Sequence, residues 1–486
     1  MKKNFVELFI FSLCILSTLF CMAQKKTAGT DALKNQAIAD IQLKYEEYRK
    51  TALQIWNYAE LGYKEEKSTA LLQQTLSDNG FSIQKGVAGI PTAFIATYGS
   101  GQPVIAILAE FDALPGLSQE AIPVKKIISN KAAGHACGHH LFGTASVAAG
   151  IEIKKLMEQK KINGTIRVYG CPAEEGGSGK VFMIRAGLFN DVDVAIHWHP
   201  GDANSVTMTS ALANKSAKFR FHGISAHAAA SPEKGRSALD AVEAMNNMVN
   251  MMREHIPQET RIHYVITNGG KAPNVVPDFA EVYYYVRNPK REEVVKIFDR
   301  VVKAANGAAM GTETTADYEI IGGTHDLLLN NTLAEAMQLN LEKVGGVSLT
   351  TEEIEFGKKL QSTFGFAAPA IESAAIVNPL KRDKTSGGGS TDVGDVSYVV
   401  PTVGMRAATW IPGTPAHSWQ AVACGGTEIG SKGMMAGAKT MALMAIDLFT
   451  TPALIEKAKQ EFIREKGAYQ YKALLGDIKP ALNYRD

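Results

Sequence analysis

The chain has 486 residues, of which 45% are apolar and 21% are charged, and its formal net charge is +2. A chain of this length exceeds what one hydrophobic core usually serves, so two domains are expected. The balanced charge, with no basic run beyond the N-terminus, argues against nucleic-acid binding and favours a small-molecule partner.

The first 23 residues have the pattern of an export signal. MKKN is positively charged, LFIFSLCILSTLFCM is continuously apolar, and Ala23 offers a small residue for cleavage. The apolar stretch is shorter than the roughly 20 residues that span a bilayer. We therefore predict cleavage near Ala23, export to the periplasm and no membrane association of the mature chain. An uncleaved anchor is the alternative, and the bulky Phe20 disfavours lipidation at Cys21.

Cleavage would leave three widely spaced cysteines, Cys137, Cys171 and Cys424. Three such residues do not make a disulfide framework, and at least one of them must stay unpaired.

Two stretches of the chain, 31–209 and 326–450, have an α/β pattern. Short apolar runs such as TAFIATY, VIAILAEF and TIRVYGC alternate with helical patterns. Runs of this length between helices predict a mostly parallel sheet with both faces covered. We interpret the two stretches as one discontinuous catalytic domain.

Residues 210–325 have a different order: strand, helix, two strands, helix and strand. This βαββαβ order is typical of a ferredoxin-like sandwich, which we interpret as a domain inserted into the first. Residues 451–486 form a polar extension that is predicted to be helical and has no assigned role.

The run GHACGHH contains two candidate metal ligands, Cys137 and His139, at the junction of a loop and a helix. A thiolate and an imidazole held there suit a first-row metal ion. The alternative is a structural pair that packs a turn.

Glu174 and Glu175 follow the predicted strand TIRVYGC. Ligands of open α/β sheets bind at the carboxyl ends of the strands. Adjacent side chains diverge, so one carboxylate is expected to bind a metal while the other faces a water molecule. The alternative is a solvated surface pair.

Three further histidines are candidates. His197 and His199 in VDVAIHWHP share one face of a strand, so one is a candidate ligand while the other supports it or only packs. His417 lies in the Gly/Pro-rich loop of TWIPGTPAHSWQ, where a lone histidine is more often structural. The interpretation rests on five residues that converge at strand ends or loops of one domain and suit two ions: Cys137, His139, Glu175, His197 and His417.

These motifs resemble a known family. GHACGH, CPAEEGG, AIHWHP, HGISAHAAASPEKGRSALDA, APNVVPD, GGSTDVGDVS and GTPAHSW occur in this order in the two-metal amidohydrolases and exopeptidases. That family includes carboxypeptidase G, aminoacylases and plant auxin-conjugate hydrolases, and the cysteine motif is similar to the last branch. AEFDALPGLSQ and STDVGDVS look most like the p-aminobenzoyl-glutamate hydrolases. The resemblance covers most of the chain, from about residue 40 to 449.

The resemblance implies two divalent cations, Zn²⁺ or Mn²⁺, bound by five residues. Cys137 matches the ligand that bridges both ions. His139 and His197 match the remaining ligands of one ion, and Glu175 and His417 match those of the other.

The resemblance also implies roles for other residues. Glu174 matches the general base, and His227 matches a histidine that reaches the active site of the partner in a dimer. Asn274 and Arg287 lie where relatives hold a substrate carboxylate, and Asp112 lies where an acid orients a ligand. One position departs from the family pattern, because His140 stands where Asp or Asn is usual. A supporting hydrogen bond there would have to come from a ring nitrogen.

The expected function is metal-dependent hydrolysis of the amide bond of N-acyl or aroyl amino acids, most like p-aminobenzoyl-glutamate. A metal-activated water would attack the amide while Glu174 accepts its proton. The inserted domain would act as a lid and as the homodimer interface, and a second kind of subunit is a further partner left open. The alternatives are a dipeptidase for small or unusual dipeptides and a metal-binding partner protein without catalysis.

Overall fold

The computed structural model describes residues 29–382 and 388–485. The predicted export signal therefore lies outside the described residues and stays a prediction. Two large sheets with different topologies organise the described chain.

The first domain is built on a seven-stranded sheet, as predicted for an α/β fold. Its strands, in chain order, are β1 (Ser82–Lys85), β2 (Phe94–Ser100), β3 (Val104–Glu110), β6 (Gly164–Cys171), β7 (Val194–Gly201), β8 (Ser205–Val206) and β13 (Thr402–Ala408), and a separate pair, β4 (Leu114–Pro115) and β5 (Ala133–Gly134), lies in the loop after β3.

The strand order across this sheet is β1-β2-β6-β3-β7-β13-β8. The four central strands from β6 to β13 are mutually parallel, and β1, β2 and β8 pair antiparallel at the two edges. Every residue of β3 is buried, as expected for a parallel strand covered on both faces. The carboxyl ends of β3, β6, β7 and β13 consequently meet at one edge of the sheet.

Helices cover this sheet. They are α1 (29–43), α2 (Tyr45–Tyr58), α3 (Glu66–Asp78), α4 (His139–Lys160), α5 (Gly179–Arg185), α8 (Asn331–Val344), α9 (Thr351–Gln361), α10 (Val393–Ser397), α11 (Trp419–Gly425), α12 (Glu428–Thr450) and α13 (Pro452–Lys466).

Helix α4 lies in the interior of the domain, where it packs on α12, α2 and the central strands. Its residues 139–153 are buried on all sides, which fits a helix with no polar face. The ligand candidate His139 is the first residue of this helix and so has a fixed position.

Among the described residues, no single helix has both the length and the hydropathy of a membrane span; α12 and α13 meet those criteria only as a pair bent by 98°.

The inserted domain has the predicted βαββαβ order. It consists of β9 (Ala213–His222), α6 (Ala238–Met252), β10 (Arg261–Asn268), β11 (Phe279–Asn288), α7 (Arg291–Gly311) and β12 (Thr315–Thr324), and its antiparallel sheet has the order β10-β11-β9-β12.

Strand β11 shows how this lid domain faces the first domain. Val282, Tyr284 and Val286 belong to the buried core of the lid, which includes residues of α6 and α7. The alternate residues Tyr285 and Arg287 point to the other face and line a pocket that also contains residues of the first domain. One strand therefore serves both the lid core and the pocket.

The segment after α12 is only partly helical. Helix α13 ends at Lys466, where Gly467 leaves helical geometry with φ 57° and ψ −139°. Residues 468–485 contain neither helix nor strand, so the prediction of helix is wrong for this part. The physical reason is tertiary packing, because Leu475 is fully buried and Tyr484 is nearly so.

Candidate active site

The site lies where the parallel strands of the first sheet end, under the lid. A cavity of about 420 Å³ is lined by residues of both domains. Six of the residues selected from the sequence line it: Cys137, Glu174, Glu175, His197, Arg287 and His417.

One group of candidate ligands contains Cys137, His139 and His199. One ligand atom from each lies within 4.8 Å of the others. The Sγ of Cys137 is 3.5 Å from Nε2 of His199. His199 donates its Nδ1–H to the carbonyl of Pro200 at 2.7 Å, which leaves Nε2 free to bind a metal.

His197 belongs to none of the groups of candidate ligands in the described chain, whereas His199 does, so the geometry favours His199 as the ligand from β7. Both histidines are on β7, as predicted, but the ring of His197 lies over Gly404 of the neighbouring strand. A Cβ at Gly404 would be 2.1 Å from Nε2 of His197. Burial, helped by the charge of His199, lowers the pKa of His197 to about 3.

A second group contains Cys137, Glu175 and His417. Oε1 of Glu175 is 3.2 Å from Nε2 of His417. His417 has φ 57°, and its backbone N–H donates to the carbonyl of Ala136 at 3.0 Å. This bond fixes the loop of His417 to the loop of Cys137, which is why residues so distant in sequence meet.

A third group contains Glu110, His139 and Glu174. Oε2 of Glu110 is 3.2 Å from Nε2 of His139. Sequence reasoning missed Glu110, although an acid at the carboxyl end of a buried strand was a usable signal. The other oxygen of Glu110 pairs at 2.7 Å with the fully buried Lys180, which also pairs with Asp392 at 2.6 Å.

Asp112 connects two of these groups. Its Oδ1 accepts a hydrogen bond from Nδ1 of His139 at 2.7 Å, and its Oδ2 accepts one from the backbone N–H of Glu175 at 2.9 Å. Asp112 therefore turns Nε2 of His139 toward Glu110 and holds the start of the Glu175 loop.

His140 makes no such contact with the candidate ligands. Its Nε2 donates to the carbonyl of Gly425 at 3.0 Å, and its ring packs at 4.8 Å from that of His135. Burial lowers the pKa of His140 to about 3, so the ring is neutral at physiological pH. It anchors the start of α4 to the turn after α11.

Glu65 is a further residue that sequence reasoning missed. Its Oε1 accepts the backbone N–H of Ala173 at 2.8 Å, and Ala173 has φ 56°, in the left-handed region. A non-glycine residue persists there only when its surroundings fix it. Burial, together with the charge of Asp112, raises the pKa of Glu65 to about 8. Glu65 thus holds the turn from which Glu174 projects.

The thiol of Cys137 is acidic. Burial and the charge of Glu175 act to raise its pKa, but the imidazoles of His199 and His139 outweigh them and lower the pKa to about 6. A thiolate is the form that binds metal ions. Cys137 is therefore largely a thiolate at neutral pH.

The adjacent carboxyl groups of Glu174 and Glu175 differ. Burial, with the charges of Glu110 and Glu175, raises the pKa of Glu174 well above its usual range. Burial also acts to raise the pKa of Glu175, but the proximity and charge of His417 lower it to about 2. Glu175 is thus suited to bind a cation as a carboxylate, whereas Glu174 is suited to hold and transfer a proton.

The residues present fit a pair of divalent cations. Nε2 of His139 and Oε1 of Glu175 are buried and have no hydrogen bond of good geometry to any residue that the structure describes. Sulfur, nitrogen and carboxylate donors are a common set for first-row metals. Because Cys137 belongs to two of the groups, it can bridge two ions, one near His139 and His199 and one near Glu175 and His417.

Of the three lid residues selected from the sequence, only Arg287 lies at the pocket of its own chain. Arg287 lines the pocket, and its Nε–H is buried without an acceptor among residues 29–382 and 388–485. His227 and Asn274 are exposed and adjacent, since the N–H of Ala228 donates to the carbonyl of Asn274. Neither of them lines the pocket.

Residues near position 485 also reach the site, which nothing in the sequence pattern indicated. The hydroxyl of Tyr484 donates to the carbonyl of Glu175 at 3.3 Å, and Nη2 of Arg485 donates to the same oxygen. Arg485 lines the pocket.

Known proteins share both the lid and the domain that carries this site. Residues 213–313 match the family model described as a peptidase dimerisation domain. The chain is 43% identical to one of the two p-aminobenzoyl-glutamate hydrolase chains of Escherichia coli, the one designated B, over 85% of this chain and 91% of that protein. It is 30% identical to the Xaa-Arg dipeptidase of Mus musculus over 90% of this chain and 93% of that protein.

The fold is similar to that of solved structures. One is a dinuclear metal-binding peptidase of the M20 family from Bacillus subtilis, with a TM-score of 0.54 and 17% identity. The match covers 84% of this chain and 99% of that one. The mixed sheet with its inserted antiparallel domain is the architecture that the two share.

The acidity of Cys137 gives a pH-dependent prediction for the metal-free protein. The thiolate fraction rises with pH through about 6, so alkylation of Cys137 by iodoacetamide should accelerate from pH 5 to 7 and then level off. Cys171 and Cys424 are internal controls, because burial raises the pKa of each to about 12. Mass spectrometry of the tryptic peptides measures each rate; equal rates at the three cysteines would refute the assignment.

The choice between His197 and His199 as the metal ligand gives a prediction about metal content. His199→Ala should remove at least one bound ion per chain, because it deletes a nitrogen from the group around Cys137. His197→Ala, two residues away on the same strand, should keep the wild-type metal content. Elemental analysis after zinc loading and desalting measures both, and metal loss in the His197 variant alone would show that His197 is the ligand.

Proposed function

Because the chain belongs to the M20 family of metal-dependent peptidases and amidohydrolases, we propose that it hydrolyses the amide bond of N-aroyl or N-acyl amino acids, with p-aminobenzoyl-glutamate as the reference substrate. The observation that carries the proposal is the convergence of two ligand groups sharing Cys137 beside Glu174 in one pocket. The relative with 43% identity is named for that substrate.

Two divalent cations would supply the electrophile and lower the pKa of a bound water toward about 7. The thiolate of Cys137 favours Zn²⁺, whereas the carboxylate and imidazole ligands also suit Mn²⁺. On the present geometry Cys137, His139 and His199 would hold one ion, and Cys137, Glu175 and His417 the other.

Glu174 is the proposed general base. Its carboxylate lies with Glu110 and His139 in one group and lines the pocket, but it is not part of the two groups that share Cys137. It is therefore free to accept the proton of the attacking water and to return it to the departing amine. The negative charges of Glu110 and Glu175 help to raise the pKa of Glu174. Bound cations would lower that pKa again and so favour the carboxylate form that acts as a base.

The pocket suits a substrate with an anionic end. Its volume of about 420 Å³ is within the range of small-molecule sites. The buried Nε–H of Arg287 has no acceptor in the part of the chain that the structure describes, and a substrate carboxylate would supply one. We rank dipeptidase activity second because the relative named as an Xaa-Arg dipeptidase is 30% identical to this chain, against 43% for the p-aminobenzoyl-glutamate hydrolase chain.

We further propose a homodimer formed through the lid. The lid matches a peptidase dimerisation domain, and its edge strand β10 exposes Tyr264, Val265 and Ile266. His227 and Asn274 are exposed on the lid of their own chain and are available to a partner's pocket. His227 would there stabilise the negative charge that develops on the amide oxygen. A second kind of subunit, or a non-catalytic role for this chain, is the competing arrangement.

The general-base assignment predicts a selective loss of rate. Glu174→Gln should keep both ions, because the side chain is outside the two groups around Cys137, and should lower kcat on p-aminobenzoyl-glutamate by about 10²- to 10⁴-fold. Release of p-aminobenzoate and elemental analysis measure the two effects. Glu456→Gln, an exposed position on α13, is the matched control. Turnover by Glu174→Gln within about threefold of wild type would remove Glu174 as the base.

Delivery of His227 across the interface predicts complementation. His227→Ala and Glu174→Gln should each be slow alone. A mixed dimer has one pocket that carries both defects and one that carries neither, so random 1:1 mixing should restore about a quarter of wild-type activity. Activity of unfolded and refolded mixtures measures this. Mixtures no faster than their parents would show a site built within one chain, while activity only after a second protein is added would favour the hetero-oligomeric arrangement.

A further inference from the structure

The segment 468–485 is built into the catalytic domain. The hydroxyl of Tyr471 donates to Oδ1 of Asp395 at 2.9 Å, and Arg185 donates to the carbonyl of Ile478 at 2.6 Å. Leu475 has no exposed surface. These contacts fix the path of an irregular segment that has no sheet or helix to hold it.

This path leads to the pocket. The ring of Tyr484 packs edge-on against Tyr63 with centroids 5.7 Å apart, and its hydroxyl contacts the carbonyl of Glu175. A Cβ on Gly176 would lie 2.9 Å from the hydroxyl of Tyr285 and 3.7 Å from Nη2 of Arg485. The segment, the lid strand β11 and the Glu175 loop therefore meet at one point of the pocket wall.

The guanidinium of Arg485 is only partly used by the protein. Nη2 donates to the carbonyl of Glu175, but the Nε–H is buried and has no acceptor among the described residues. The Nε–H of Arg287, in the same pocket, is also buried without an acceptor among the described residues. A buried donor without an acceptor is unfavourable, and two of them in one cavity indicate that an anionic ligand completes the site.

We propose that Arg485 is a specificity-determining residue that binds the side-chain carboxylate of the substrate, while Arg287 binds its α-carboxylate. The substrate class is then an amide whose amine part is a dicarboxylic amino acid. This inference rests on the proposed function and deepens it, because amide hydrolysis by itself requires only one carboxylate or none.

The proposal is tested by comparing p-aminobenzoyl-glutamate with p-aminobenzoyl-glutamine, which differ in one negative charge. Wild type should prefer the glutamate substrate in kcat/KM. Arg485→Gln should lower kcat/KM for that substrate by about 10- to 100-fold, mainly through KM, because a charge-assisted hydrogen bond is lost. The effect on the glutamine substrate should be several-fold smaller. Arg485→Lys should recover part of the preference.

Arg464→Gln is the matched control, since that arginine is on α13 with its side chain 66% exposed. Metal content is measured for every variant. Equal losses of Arg485→Gln on both substrates would mean that the residue only positions the Glu175 loop and would overturn the proposal. No loss on either substrate would overturn it as well.

Failure of the proposed function has a different signature. If zinc-loaded wild type cleaves neither substrate, calorimetric titration with glutarate and butyrate tests the pocket directly. Arg485→Gln should then weaken glutarate binding about tenfold relative to butyrate. Equal weakening of both, or unchanged binding of glutarate, would refute a second carboxylate site.

Discussion

The site depends on one buried carboxylate, that of Asp112. It receives the ring N–H of His139 on one oxygen and the backbone N–H of Glu175 on the other. The residue is 1% exposed, so these bonds act where water does not compete with them. Since β3 and β6 are parallel neighbours, their carboxyl ends are close enough for a single side chain to span them. Two ligand positions on separate segments are thereby set by one residue.

Several acids of the same region are buried: Glu65, Glu110, Asp112 and Asp392 are each at most 1% exposed. Lys180 is the buried cation between Glu110 and Asp392, and buried ions are tolerated only when they are paired. Burial, with the charges of Glu110 and Glu175, holds the pKa of Glu174 well above its usual range. A pair of divalent cations bound there would add positive charge beside these carboxylates and would favour the ionised form of Glu174.

Much of this could be predicted from the sequence, since hydrophobic runs and strand order determine which residues lie at the ligand-binding edge of an α/β sheet. The choice between His197 and His199 could not, because both are on one strand face and the outcome depends on Gly404 of a strand far along the chain. The role of Lys180 could not be predicted either, because it depends on which buried acids lie beside it in the folded chain. Arg485 reaches the pocket along an irregular segment, and no periodicity encodes such a path.

The order of these parts along the chain has a consequence for synthesis on the ribosome. The lid sheet ends at Thr324, so a nascent chain carries a complete lid before His417 has been made. Domains fold as units while synthesis proceeds, so the lid can adopt its structure first. The segment that carries Arg485 is synthesised later still, so the pocket wall is complete only after the whole lid has been made.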